Sequence, residues 1–124
     1  MRAISVRQPF AERIASGKKR IEYRTWRVAP GPILVVASVA RHAVADAREV
    51  EGLPMGVMVC VVDVVKVTGE RGAYEWHLRD PRRVRPEPVR GWAAIYHVAD
   101  GLIVQISGGA PQPRSSKRRS RAAR

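Results

Sequence analysis

The stretch GVMVCVVDVVKV, residues 56–67, decides the fold. It is apolar and rich in β-branched valine, which favours a strand, and it is the longest run of this kind in the chain. We therefore expect it to be the spine of a β-sheet. Asp63 interrupts the run, which predicts either a β-bulge or a polar space at this point.

The segments before this spine predict further strands and two helices. QPFAERIASG (8–17) predicts a short helix, because Pro9 suits the first helical position and Gly17 is a natural C-terminal stop. RHAVADAREVE (41–51) has the apolar spacing of a second helix. Strands are predicted at RAISV (2–6), IEYRTW (21–26) and PILVVAS (32–38).

The segments after the spine are less regular. AYEWHLRD (73–80) predicts about two helical turns, and PRRVRPEPVRG (81–91) predicts a proline-rich extended segment. WAAIYHV (92–98) and GLIVQI (101–106) predict a hairpin about the Asp-Gly turn between them. Five or six strands with two or three short helices make an α+β fold, and a small β-barrel is its most economical closure.

The charge of the chain divides it into two parts. The net charge is +12, and half of this lies in residues 108–124, which carry six basic residues and no acid. We expect residues 1–107 to form one domain and residues 108–124 to be a disordered basic tail that contacts polyanions without specificity. Because residues 1–107 are themselves basic, a nucleic acid is a suitable partner for the domain as well.

Several classes of protein are disfavoured by the sequence. No apolar run approaches the roughly 18 residues of a membrane span, and no signal-peptide segment opens the chain. We therefore expect a cytoplasmic protein without a membrane partner. The single cysteine, Cys60, lies in the apolar spine and predicts a packing residue. The three histidines lack metal-ligand spacing and no phosphate-binding glycine loop occurs, so no metal and no cofactor are expected.

The stretch SGKKRIEYRTW (16–26) carries the candidate site. Glu22, Arg24 and Trp26 occupy every second position of a predicted strand and so share one face. Such a face is either an ordinary solvated surface or the floor of a binding site. A tryptophan beside charges favours the site, since an exposed indole is unfavourable unless something stacks on it. The helix that ends at Gly17 also puts the start of this face at a helix–strand junction, a place where a groove can form.

Two further pairs of residues leave alternatives open. Ser38 and His42 follow the third predicted strand, where Ser38 suits a helix N-cap better than a nucleophile with a histidine base. Trp76 and Trp92 flank an arginine-rich segment. They predict either stacking surfaces for single-stranded nucleic acid or plugs at the end of a barrel.

The stretch ISVRQPFAERIASGKKRIEYRTW (4–26) resembles the opening of the ASCH domain family, within the PUA-like superfamily. Later segments are similar to family segments in order and spacing, so the resemblance spans residues 2–106. The family signature GxKxxExR is met by Gly17, Lys19, Glu22 and Arg24.

The resemblance implies a small PUA-like β-barrel with a cleft floored by this motif, and RNA as the partner. A single strand or a modified nucleotide would occupy the cleft, with DNA as the second candidate. Glu22 would hold the Arg24 guanidinium towards a phosphate or a base edge, and Trp26 would stack on a base. The nucleic-acid-binding residues expected are Gln8, Lys19, Glu22, Arg24, Trp26, Ser38 and Trp76.

The resemblance also implies an alternative, because ASCH proteins include hydrolases. One activity removes the acetyl group of N4-acetylcytidine, and another cleaves single-stranded RNA. In such an enzyme Lys19 and Glu22 would be the catalytic acid–base pair. The amidohydrolase type carries threonine where this chain has Glu22, so a ribonuclease is the better form of this alternative.

Overall fold

The computed structural model describes residues 1–40 and 47–106 of the 124-residue chain. Two α-helices are present in this part, α1 (Phe10–Ala15) and α2 (Ala47–Val50), and a 3-10 turn covers Asp100–Leu102. The strands are β1 (Arg2–Val6), β2 (Ile21–Arg24), β3 (Gly31–Ala37), β4 (Met58–Glu70), β5 (Ala73–Arg83) and β6 (Tyr96–His97).

The six strands form one sheet in the order β2-β5-β4-β3-β1-β6. Only β1 and β3 pair in parallel, and each of the other neighbouring pairs is antiparallel. The predicted spine is confirmed as β4, which has 13 residues and pairs with β3 on one side and β5 on the other.

The sheet is curled into a half-barrel. Arg24 on β2 donates from Nη2 to the carbonyl oxygen of Ser5 on β1 over 3.0 Å. These strands are four positions apart in the sheet, which would be roughly 19 Å if the sheet were flat. An arginine side chain cannot span that distance, so the sheet bends round on itself. The predicted α+β fold, a small barrel of five or six strands with short helices, is confirmed in this half-barrel form.

The two faces of the sheet bury two apolar clusters. Alternation along β3 divides them: Val35 faces one cluster, and its neighbours Leu34 and Val36 face the other. Helix α1 covers the concave side, where its buried Ala11, Ile14 and Ala15 pack on the inner cluster. That cluster also holds Ile4, Val6, Ile33, Val62, Val64, Trp76 and Leu78.

Two β-bulges interrupt the pairing of β4 with β5. Between the pairs Val61–Arg82 and Asp63–Arg79 the extra residue lies on β5. Between the pairs Val64–Leu78 and Lys66–His77 it lies on β4. The bulge predicted at Asp63 is therefore present, and its carboxylate also meets the guanidinium of Arg82 at 3.1 Å. Bulges bend a strand and re-aim the side chains beside them.

Two predicted elements are wrong. AYEWHLRD (73–80) is not helical but belongs to β5, because its pairing with both β2 and β4 supplies the backbone hydrogen bonds that a helix would have made internally. The predicted hairpin over residues 92–106 does not form. Val104 and Ile106 instead exchange backbone hydrogen bonds with the end of β5, while Asp100 accepts from the amino group of Met1.

Other predictions are met or lie outside the described residues. Helix α1 stops as expected just before Gly17, whose φ of +82° suits glycine. At the other end, Pro9 is the N-cap and not the first helical residue as predicted. Helix α2 coincides with the last turn of the second predicted helix, RHAVADAREVE (41–51). His42 and the basic tail fall outside the described residues. Within those residues, no helix combines the length and the apolar character needed to cross a membrane.

Candidate functional site

Strand β2 places Glu22 and Arg24 on the concave face of the sheet. Glu22 lies opposite Trp76 of β5, and Arg24 lies opposite Tyr74. Glu22 is only 7% exposed, although Tyr23 between the two residues points outward and is 63% exposed. The shared face predicted from the alternation is therefore present, and it is turned into the half-barrel. A buried carboxylate on this face requires partners, because an unpaired buried charge is strongly unfavourable.

Two cations hold the Glu22 carboxylate between them. Its Oε2 accepts from Arg24 Nε at 2.7 Å, and its Oε1 lies 3.4 Å from Lys19 Nζ. Three charged groups of the GxKxxExR motif thus form one connected cluster, with the acid in the middle.

The connection between α1 and β2 positions Lys19. The chain turns at Gly17, and the backbone amide of Lys19 then donates to the Arg13 carbonyl over 2.9 Å, which ties the turn to the helix. Lys19 Nζ donates to the Ile21 carbonyl as well as facing Glu22. Its ammonium also lies over two aromatic rings, 5.8 Å from the Phe10 centroid and 5.2 Å from that of Tyr23.

Arg24 is held from two sides and keeps donors to spare. Its Nε bonds Glu22 and its Nη2 bonds the Ser5 carbonyl, which fixes the plane of the guanidinium. Nη1 has no hydrogen bond to any described residue, and the side chain is 22% exposed. The guanidinium carbon lies 5.9 Å from the ring centroids of both Trp26 and Trp76.

Trp26 and Trp76 differ in what they offer a ligand. Trp26 follows the end of β2, is partly buried, and meets Trp76 edge to face with centroids 4.9 Å apart. Trp76 is fully buried, and its Nε1 donates to the Trp26 carbonyl over 3.1 Å. The predicted stacking role of Trp76 needs correction, since no face of its ring is open. The burial of Trp76 matches the other prediction for this residue, a plug of the barrel. Trp92, by contrast, is 56% exposed.

Gln8 is placed for a structural role. It is 1% exposed, its Nε2 donates to the Pro54 carbonyl over 3.0 Å, and its Oε1 accepts from the backbone amide of Glu12 at 2.9 Å. Both ends of the amide are thus engaged within the protein. The predicted nucleic-acid contact of Gln8 is therefore corrected: the side chain joins helix α1 to the loop before β4.

Ser38 is separate from the charged cluster. Its backbone amide donates to the Val6 carbonyl, and its Oγ accepts from the amide of Ala40 at 3.0 Å in a local turn. The structure records no contact between Ser38 and Lys19, Glu22 or Arg24. No helix begins at Ser38 within the described residues. The predicted nucleic-acid contact of Ser38 stays a prediction.

Sequence reasoning missed three groups around the cluster. The Ser5 carbonyl gives no sequence signal, since any residue at that point of β1 would present one. Phe10 and Tyr23 frame the Lys19 ammonium, and only the fold brings them together. In the described part of the chain, no three His, Cys, Asp or Glu side chains come close enough to hold a metal ion.

Comparisons with known proteins bear on the fold and the family of the chain. No curated protein sequence matches the chain. The crystal structure of ASCH from Zymomonas mobilis is similar with a TM-score of 0.60 at 16% identity, over 82% of this chain and 89% of that one. A crystal structure of a single-residue mutant of the Zymomonas mobilis protein gives a TM-score of 0.58 at 16% identity, over 80% and 88% of the two chains. At this identity the likeness concerns the fold alone. The ASCH domain family model matches residues 4–105, most of the sequence, so the chain belongs to the ASCH domain family.

Proposed function

We propose that this chain binds RNA and takes one nucleotide, from a single strand or carrying a modification, in the cleft floored by Lys19, Glu22 and Arg24. Membership of the ASCH family supports an RNA-binding, PUA-like domain in general. The observation that carries the finer proposal is the Arg24 guanidinium, which two acceptors fix in place while Nη1 donates to none of the described residues.

A guanidinium fixed in this way is preorganised for binding. Arginine presents its donors in a planar fork that matches a phosphate or the edge of a base. Because Glu22 and Ser5 already hold the fork, little side-chain freedom is lost when a ligand arrives. Lys19 adds a second positive charge on the far side of the same carboxylate. The arrangement therefore suits an anionic, hydrogen-bonding ligand such as a nucleotide.

Trp26 supplies an apolar surface beside these charges. Its ring is partly buried against the core and lies near the Arg24 guanidinium. Stacking of a base on an aromatic side chain contributes about 1–3 kcal/mol and tolerates every base. A nucleotide held by Arg24 through its polar edge could rest its base on this indole.

The contacts of Lys19 and Glu22 favour binding over hydrolysis. Lys19 Nζ is engaged by two groups of the protein itself, the Ile21 carbonyl and the Glu22 carboxylate. Both oxygens of Glu22 face cations, which suits an ion pair that orients its neighbours. A hydrolase would need one of these groups released from its partners before it could move a proton.

The experiment that tests the proposal is fluorescence anisotropy with labelled single-stranded RNA. The full chain and its Arg24→Ala variant are compared at two salt concentrations, and circular dichroism checks that both are folded. Arg71→Ala is the matched control, because Arg71 is an exposed arginine in the β4–β5 turn. We expect Arg24→Ala to weaken binding at least about tenfold, or 1.4 kcal/mol, and the control to change it little.

Equal binding by the wild type and Arg24→Ala, with a steep salt dependence, would overturn the proposal in favour of general electrostatic attraction. A DNA strand of the same sequence is measured alongside. Binding of DNA as tight as that of RNA would show that the 2′-hydroxyl is not read. The RNA is recovered after binding and checked for cleavage.

A further inference from the structure

A groove of about 560 Å³ lies between the end of α1, the start of β2 and the strands β4 and β5, and Lys19 lines it whereas Arg24 does not. This volume lies within the range of about 300–1,000 Å³ that is usual for ligand sites. Basic side chains dominate its polar lining: Lys19, Arg20, Lys66, His77 and Arg79.

The positive charge of this groove is largely uncompensated. Arg20, Lys66 and Arg79 are exposed, and none makes an ion pair with a carboxylate of the described residues. Among the described residues, Asp80 is the one acid that lines the groove, and its carboxylate already meets Arg82 at 3.1 Å. Like charges collected in one concavity repel each other and raise the local concentration of anions.

The two bulges between β4 and β5 lie beside this groove. The extra residue on β4 lies just before Lys66, and the extra residue on β5 lies just after Arg79. Asp80 adopts a φ of +58°, a left-handed conformation that is uncommon outside glycine. The strands thus depart from regular pairing on both sides of the groove, where their basic side chains come together.

Lys19 connects the groove with the cleft. Its side chain lines the groove, and its Nζ faces the Glu22 carboxylate that holds Arg24. A strand that leaves the cleft past Lys19 would therefore meet the other basic side chains of the groove, Arg20, Lys66 and Arg79. Repeated phosphates are the ligand chemistry that such a group of cations fits.

We propose that this groove binds the sugar–phosphate backbone of the nucleic-acid strand whose nucleotide occupies the cleft. The inference rests on the proposed function and adds a second contact region to it. Arg20, Lys66 and Arg79 contact phosphates there, with Ile21 and Pro81 as apolar walls beside the sugars. The groove adds affinity without reading sequence, because phosphates carry no base information.

The test compares a short and a long strand. Labelled uridine dinucleotide and labelled oligouridine of about 12 nucleotides are titrated with the full chain, Arg24→Ala, and the double variant Lys66→Ala/Arg79→Ala. Arg71→Ala/Arg85→Ala is the matched control, because both of its arginines are exposed, make no ion pair with described residues, and lie outside the groove. The groove variant, Lys66→Ala/Arg79→Ala, and the control have the same net charge.

We expect the groove variant to bind the long strand roughly 3- to 30-fold more weakly than wild type. This is the loss expected when two exposed ion pairs with phosphates are removed. The slope of its salt dependence falls by about 1.4, since each lost phosphate contact on a single strand removes about 0.7. Its affinity for the dinucleotide and the affinities of the control stay near those of wild type.

Two results separate the groove from the cleft. If Arg24→Ala abolishes binding and the groove variant binds the long strand like the control, the groove inference is overturned and the cleft proposal stands. If the groove variant loses binding while Arg24→Ala does not, the proposed function fails. The groove would then be a polyanion site of its own.

Discussion

Arg24 on β2 and Ser5 on β1 are joined by a hydrogen bond of 3.0 Å across the open side of the half-barrel. The same guanidinium therefore closes the fold and faces the cleft. A residue with both roles makes the shape of the site depend on the closure of the sheet. Variants of Arg24 consequently need a stability measurement beside each binding measurement.

Glu22 should stabilise the fold through its two cations. Glu22→Gln keeps the shape of the side chain but leaves Lys19 and Arg24 without a counter-charge, so we expect a loss of about 1–3 kcal/mol in the free energy of unfolding. Urea unfolding of the full chain measures it. Glu70→Gln is the control, because Glu70 is an exposed acid with no ion pair in the described structure. Equal effects of the two substitutions would contradict a stabilising role of the cluster.

Lys19→Arg separates binding from catalysis. Arginine keeps the positive charge and the contact with aromatic rings but does not lose a proton in the working range of pH. We expect RNA affinity to stay within about threefold of wild type. The recovered RNA is run on a denaturing gel for both proteins. RNA cut by the wild type and left intact by Lys19→Arg would contradict a role limited to binding and support the ribonuclease alternative.

Glu12 and Arg83 should couple helix α1 to strand β5. Their two hydrogen bonds, 2.9 and 2.6 Å long, form a bidentate pair, and Arg83 Nε is buried without a partner in the described structure. A double-mutant cycle with Glu12→Ala and Arg83→Ala should give a coupling energy of about 1–2 kcal/mol. This is less than a fully buried ion pair would give, because both side chains are partly exposed to solvent.

The pair Arg82 and Asp80 provides the comparison for this cycle, because Asp80 is exposed and the pair lies within one strand. Its coupling should be about 0–0.5 kcal/mol. Similar coupling in the two cycles would show that bidentate geometry and burial add nothing to the attachment of the helix.

Cys60 should make stability depend on pH in the alkaline range. Burial raises the pKa of this thiol from 9.0 to about 12. The unfolded chain therefore loses the proton first as pH rises, so the contribution to stability is intact below pH 9 and is lost between about 9 and 12. From about pH 8 to 10.5 the wild type should lose about 1–2 kcal/mol more than Cys60→Ala.

Equal losses by the two proteins over that interval would contradict the buried neutral thiol. A thiol reagent gives a second check. It should label the folded chain far more slowly than the chain in denaturant, because the thiolate is the reactive species.

Much of the fold follows from local signals in the sequence. The strands β1, β3 and β4 are apolar runs whose burial leaves little choice of structure, and Gly17 ends α1 at the predicted point. Strand β5 was missed although its sequence carries the signal. Tyr74, Trp76 and Leu78 alternate with charged or polar residues and face the core.

The false hairpin has a different cause. Its Asp-Gly signal is local, but the partners of the segment are distant: Met1 binds Asp100, and the end of β5 binds residues 104–106. Long-range competition of this kind is not visible in a turn motif. The same limit applies to Gln8 and Trp76. Gln8 predicted a ligand contact and Trp76 predicted a stacking surface, but the Gln8 amide is bonded within the protein and the Trp76 ring is buried.

The alternation of residues along the chain predicts the charged face of β2. The interpretation of this face as a binding site depends on the resemblance to the ASCH family. Spacing placed Glu22 and Arg24 together, but it gave no sign of the Ser5 carbonyl or of the bulges beside Lys66 and Arg79. These depend on the curl of the sheet and on register shifts. The RNA partner, the polyanion contacts of the tail and the cytoplasmic location stay predictions.

The order of the strands also determines how the protein meets other polypeptides. The outermost strands are short, with four residues in β2 and two in β6, but β4 pairs with β3 only as far as Val64. Its residues 66–70 pair with β5 alone and so form a third edge in the described part of the chain. Edge strands are the templates on which foreign strands add and aggregation begins. Lys66 and Glu70 are exposed on this edge, and charged side chains at such a place oppose the pairing of an incoming strand.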